Sequence, residues 1–95
     1  MKVDLSKALR RALKTGEVYV GSKRTLKAVK DGKAKMVIVA RNCPEEVLEG
    51  LKGHDVKILT YDGTNMELGA ICGKPFSVAA LAIVDEGESE ILSAE

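Results

Sequence analysis

Residues Met36-Val37-Ile38-Val39-Ala40 form an unbroken apolar run, largely β-branched, bounded by Lys35 and Arg41. A strand with one wet face alternates polar and apolar side chains, whereas a run without alternation needs cover on both faces. The run therefore predicts a central strand of a sheet held between two layers. The rest of the chain has to supply those layers.

It does so by alternation. Leu5, Ala8, Leu9, Ala12 and Leu13 recur at helical spacing, with Asp4 as a cap and Gly16 as a stop. Lys7, Arg10, Arg11 and Lys14 lie off this stripe, as a solvated face does. Glu17–Val20 is a short strand closed by Gly21, and a helix follows from about Ser22 to Lys30 with Leu26 and Val29 inward. After the central run, Asn42-Cys43-Pro44-Glu45-Glu46 has the makings of a helix start: Asn42 as cap, proline in the first turn, then acids at the positive end of the dipole. That helix turns Val47, Leu48 and Leu51 inward and ends at Gly53, before a strand over Val56–Thr60. Thr64 and Glu67 form a capping box for a helix burying Leu68, Ile71 and Cys72, broken by Gly73-Lys74-Pro75. Val78–Val84 is a last apolar strand, and Asp85-Glu86-Gly87-Glu88 turns away from it. The order α-β-α-β-α-β-α-β predicts an α/β fold with helices on both faces of the sheet, as one domain over residues 1–95.

Composition narrows the function. No apolar run is long enough to span a bilayer, and Lys2 and Asp4 stand where a secretory leader would be apolar, so an intracellular chain without membrane partners is expected. Cys43, Cys72 and His54 do not make a ligand set, so no metal or other cofactor is expected and the cysteines are expected as reduced thiols. The net charge of +1 conceals a partition: residues 1–41 hold twelve Lys/Arg against three Asp/Glu, and residues 42–95 three against eleven. Either the fold has one basic side that attracts phosphates, or the halves pair their charges at the surface.

Ligands of open α/β sheets collect beyond the carboxyl ends of the strands. Two segments belong there. Gly21-Ser22-Lys23-Arg24-Thr25 offers a permissive glycine, open helix amides, a hydroxyl and two cations, a set suited to phosphate, with Lys27 a turn further on. Arg41-Asn42 offers a phosphate clamp and an amide able to pair with a base edge. Asn42 and Ser22 each have a second reading as helix caps. Phe76 is one of three aromatics in the chain and follows Gly73-Lys74-Pro75 outside any clear period. An aromatic beside a lysine in a loop can stack on an unpaired base; alternatively Phe76 opens the last strand and points into the core. If that strand runs antiparallel to the first two, all three segments meet at one sheet edge. No residue set points to catalysis: Gly21–Thr25 lacks P-loop spacing, and no Ser or Cys has a base nearby in sequence.

The ordered segments Gly16–Gly21, Lys33–Asn42, Gly63–Gly69, Gly73–Phe76 and Ala82–Ser89 resemble the archaeal and eukaryotic family of large-subunit ribosomal protein thirty-e. That family lies in the kink-turn RNA-binding superfamily, which also holds ribosomal protein seven-a-e. The resemblance covers nearly the whole chain. It implies a three-layer α/β/α sandwich around a four-stranded mixed sheet, binding to bent, internally looped RNA, and residence in the large subunit. The family's glycine and lysine after the first strand fall on Gly21 and Lys23, its asparagine on Asn42 and its base-stacking phenylalanine on Phe76. Where some members then carry arginine, this chain has Ser77, and Glu45–Asp55 is several residues shorter than in most members. The seven-a-e branch places Asn-Glu in the first loop to read sheared G·A pairs. Lys23-Arg24 stands there instead and favours the thirty-e branch.

The RNA-binding set expected on this reading is Gly21, Ser22, Lys23, Arg24, Lys27, Arg41, Asn42, Lys74, Phe76 and Ser77. The partners implied are ribosomal RNA, neighbouring ribosomal proteins and, as a further RNA, the protein's own message, for a cytoplasmic protein monomeric outside the ribosome. Two alternatives stay open: a kink-turn adaptor in another ribonucleoprotein or in translational control, and a small phosphate- or nucleotide-binding α/β enzyme using Gly21–Thr25.

Overall fold

The strand demanded by the apolar run is β2 (Met36–Val39), buried at every position in the computed structural model, which describes residues 5–89 and 91–93. Its neighbours are β4 (Ala80–Asp85), antiparallel, and β3 (Lys57–Thr60), parallel. β1 (Glu17–Val20) pairs antiparallel with β4, giving the order β1-β4-β2-β3. The register sets Ile38 beside Leu81 and Val37 beside Ala82, so β2 and β4 form the centre of a mixed four-stranded sheet.

Side chains alternate across that centre. Met36, Ile38, Leu81 and Ile83 face α1 (Leu5–Thr15) through Ala8, Leu9 and Ala12, and α4 (Asn65–Ile71) through Leu68. Ile91, in a short 3₁₀ turn over Ile91–Ser93, is buried in the same cluster. Val37, Val39, Ala80 and Ala82 face α2 (Ser22–Lys30) through Ala28 and Val29, and α3 (Glu45–Leu51) through Val47 and Leu51. Three layers result, α1/α4, sheet and α2/α3, as expected. Each fully buried Leu, Ile or Met side chain contributes about 1.5–3 kcal/mol relative to exposure.

Several boundaries depart from the sequence expectation. Pro44, with no side-chain cap bond, is the N-cap of α3, and Asn42 is not its cap. Ser22 is the first residue of α2, whose N-cap is Gly21. The last strand starts at Ala80 rather than Val78, because the Val78 N–H is taken by the Asn65 carbonyl at 2.9 Å. It also runs one residue further, to Asp85, whose carboxylate accepts from the Gly87 N–H at 2.8 Å. β3 lies at the sheet edge and begins at Lys57, not Val56. The expected capping box is present, with Thr64 and Glu67 each satisfying the other's amide. The expected cap at Asp4 lies outside the described residues. No described helix is long and apolar enough to cross a membrane.

Candidate nucleic-acid interface

β4 runs against β1 and β2, and β3 runs with β2. The exits of β1, β2 and β3 and the entry to β4 therefore lie at one sheet edge. Gly21, Arg41-Asn42, Gly63-Thr64 and the Phe76–Ala79 segment are brought together there. Backbone hydrogen bonds tie them. Gly21 N–H donates to the Ala80 carbonyl at 3.0 Å, Ala40 N–H to Ala79 at 2.8 Å, and Arg41 N–H to Gly63 at 2.8 Å.

Gly21 has φ +111°, a conformation that side-chain-bearing residues rarely adopt, so the β1–α2 turn requires glycine. Its carbonyl accepts the Thr25 N–H at 2.9 Å, the first bond of α2. The amides of Ser22, Lys23 and Arg24 precede that bond and are open to an outside acceptor, at the positive end of the helix dipole. Lys23, Arg24 and Lys27 are exposed. Arg24 lies over the Tyr19 ring, 5.9 Å from its centroid. With Lys27, Asp31 and Lys33, these two line a cleft of about 260 Å³ on the flank of α2. Arg24 and Lys27 thus face the side of the helix as much as the sheet edge.

Arg41 is exposed and makes a loose 3.8 Å pair with Asp62, itself fully exposed. Water and salt screen such a pair, leaving Arg41 available to a phosphate. Asn42 is held more firmly. Its Oδ1 accepts the Asn65 N–H at 2.8 Å, and its Nδ2 donates to Asn65 Oδ1 at 3.3 Å. A backbone N–H can only donate, so the amide orientation is fixed, with Oδ1 toward α4. One Nδ2 hydrogen and one Oδ1 lone pair remain for a ligand. Asn42 therefore satisfies the first amide of α4, whose N-cap is Thr64, and does not cap the adjacent α3.

Phe76 is 57% exposed, which removes the core reading. Its segment is fixed from below by α4: a Cβ added at Gly69 would overlap the Phe76 carbonyl oxygen, and Asn65 holds Val78. Lys74 and Ser77 are exposed in the same loop. Sequence reasoning missed Asn65 and Gly69 as organisers of the site. Both lie in the Gly63–Gly69 motif, where the capping box announced the start of α4 but not what it holds. Gly69 shows as a glycine inside a helix, a position that calls for a packing reason.

The two cysteines are half-buried and free, and burial raises both thiol pKa values, offset in part at Cys72 by Lys74. They are poor nucleophiles at neutral pH. No group of three metal-ligating side chains converges among the described residues, and His54 is exposed.

Open helix amides, exposed cations, an oriented amide and an exposed ring at one sheet edge define a small α/β/α domain equipped to meet a polyanion that carries bases. Comparison with known proteins gives that class a family. The Ribosomal protein L7Ae/L30e/S12e/Gadd45 family matches residues 3–93. The chain is 63% identical over 83 residues to the large ribosomal subunit protein eL30 of Archaeoglobus fulgidus, covering 87% of this chain and 96% of that one. It is 49% identical over 94 residues to the eL30 of Methanosarcina mazei, covering 99% and 91%. The eL30 of Methanocaldococcus jannaschii is 46% identical over 94 residues, covering 95% and 86%. The chain belongs to the L7Ae/L30e/S12e/Gadd45 family of ribosomal proteins.

Proposed function

We propose that the chain is a structural constituent of the large ribosomal subunit that binds kinked, internally looped RNA of the kink-turn type through the edge described above. The observation that supports this most is the exposed Phe76 ring, in a loop that Asn65 ties to Asn42. An A-form duplex hides its bases in a narrow major groove, so sequence-reading proteins engage loops where bases are splayed out. Phe76 stacks on one such base. Asn42 reads a second through its remaining donor and acceptor. Lys23, Arg24, Lys27, Arg41 and Lys74 hold backbone phosphates, Gly21 and Ser22 let a phosphate approach the α2 amides, and Ser77 adds a hydroxyl beside the ring.

The partners on this reading are ribosomal RNA and neighbouring ribosomal proteins, for a protein monomeric before assembly and resident on cytoplasmic ribosomes. Nothing in this scheme is consumed, so the protein acts without catalysis or cofactor. Membership of a ribosomal-protein family sets aside the enzyme alternative for Gly21–Thr25. Sedimentation through a high-salt sucrose gradient, then crosslinking and sequencing of the attached RNA, tests the proposal. Co-migration with the large subunit and crosslinks at an internal loop are expected. Recovery only at the top of the gradient, without ribosomal RNA attached, overturns it.

A further inference from the structure

The chain has a second basic surface for which the proposed RNA contact has no use. Lys7, Arg10, Arg11 and Lys14 recur at i, i+3, i+4 and i+7 on α1, and all four are exposed. At 1.5 Å rise per residue they extend over about 10 Å of helix. Together with Thr15 and Glu88 they line an open groove of about 480 Å³. α1 packs on the opposite face of the sheet from α2, so the sheet stands between this stripe and Lys23, Arg24 and Lys27.

The stripe is poorly explained as a solvated face. Such faces interleave both signs, with acids four residues from bases. The described α1 segment, Leu5–Thr15, contains no acidic residue, and among the described residues Glu88 is the single carboxylate lining the groove. Arg10, Arg11 and Lys14 make no ion pair among the described residues. Like charges at three- and four-residue spacing oppose helix formation. Among the described residues Arg10, Arg11 and Lys14 carry this local cost without compensation, as a surface does that meets its counter-charge in a partner. The stripe has no aromatic or amide side chain with which to read bases, while its two arginines can grip phosphates with paired hydrogen bonds.

From this we infer that the α1 face is a second RNA surface, one that takes the phosphate backbone of a duplex segment regardless of sequence. The protein then clamps two RNA segments on opposite faces of its sheet. The two-segment statement rests on the proposed kink-turn contact; the α1 contact stands by itself.

The test compares the wild-type protein with R10A/R11A/K14A, each replacement being a strong helix former. R10Q/R11Q/K14Q serves as a second variant, and circular dichroism checks folding. Two labelled probes are titrated separately at several salt concentrations: a plain RNA duplex, and a kink-turn RNA with short arms. The variants should bind the duplex at least tenfold more weakly, with a slope of log affinity against log salt shallower by about 3, for three cations at roughly 0.9 each. Their kink-turn affinity should stay within about twofold. Equal duplex binding by wild type and variants overturns the inference. So does a wild-type protein that ignores the duplex at low salt, which would turn attention to an acidic protein partner. A parallel loss on both probes also overturns it, because α1 would then serve the first RNA. Failure of the kink-turn contact reads out differently: the wild type would bind the duplex through α1 and show no preference for the kinked probe.

Discussion

Removing the Phe76 ring separates binding from folding. Full burial of a phenylalanine is worth about 1.5–3 kcal/mol. Phe76 is 57% exposed, so less than half of that applies, and Phe76→Ala should lower stability by about 1 kcal/mol or less. A core phenylalanine would cost about 3–5 kcal/mol. On the RNA side, stacking on an extruded base contributes about 1–3 kcal/mol by alanine substitution. At 1.4 kcal/mol per decade, that is a roughly 5- to 150-fold rise in Kd. Thermal midpoint and kink-turn RNA affinity should be measured on Ala, Leu and Tyr variants of Phe76. All three should melt close to wild type. Tyrosine should retain affinity, because it keeps a planar ring, and leucine should lose it nearly as alanine does. Unchanged affinity in Phe76→Ala would refute the stacking role outright.

Asn42→Ala removes the acceptor for the Asn65 amide and should cost about 0.5–2 kcal/mol of stability, read by chemical denaturation, together with RNA affinity. Asn42→Asp keeps the acceptor for the Asn65 N–H and loses the donor to Asn65 Oδ1, a contact that a rotated Asn65 amide can re-form, so most of the stability should survive while RNA affinity falls; retained affinity would assign Asn42 to its contact with α4 alone. Gly69→Ala pushes a methyl group into the Phe76 carbonyl and should destabilise by about 1–3 kcal/mol, with weaker RNA binding in the fraction that folds. Thr25 is fully buried and its hydroxyl has no hydrogen-bond partner among the described residues, so Thr25→Val should stabilise the protein by about 1 kcal/mol, seen as a higher denaturation midpoint at unchanged RNA affinity.

The layers were legible because they depend on local period. The run Met36–Ala40 had to be central, and the stripe of Leu5, Ala8, Leu9, Ala12 and Leu13 had to face it. The capping box at Thr64 was legible for the same reason, since its partners are three residues apart. What was not legible is long-range adjacency. Asn42 stands before α3 in sequence, so a local rule makes it the cap of that helix. Pro44 takes that position, and the parallel pairing of β2 with β3 brings the start of α4 to Asn42 from 23 residues away. Phe76 was ambiguous for a related reason. Its exposure is set by how closely α4 approaches its backbone at Gly69, a contact that composition and period do not encode. The direction of β4, which decides whether the three segments meet, was left open by residue pattern, and the family resemblance implied only a mixed sheet.

Recognition by this sheet edge of a kinked, looped RNA, and not of RNA in general, is decided by one pair of affinities for the wild-type protein at physiological salt: a kink-turn RNA, and the same RNA with its internal loop closed by complementary bases. The second probe keeps the backbone charge and removes the splayed bases and the bend. A preference for the looped RNA on the order of a thousandfold is expected, the low end of the usual gap between specific and non-specific nucleic-acid binding. Equal affinity for the two would contradict it, and would leave Phe76 and Asn42 with no base to meet.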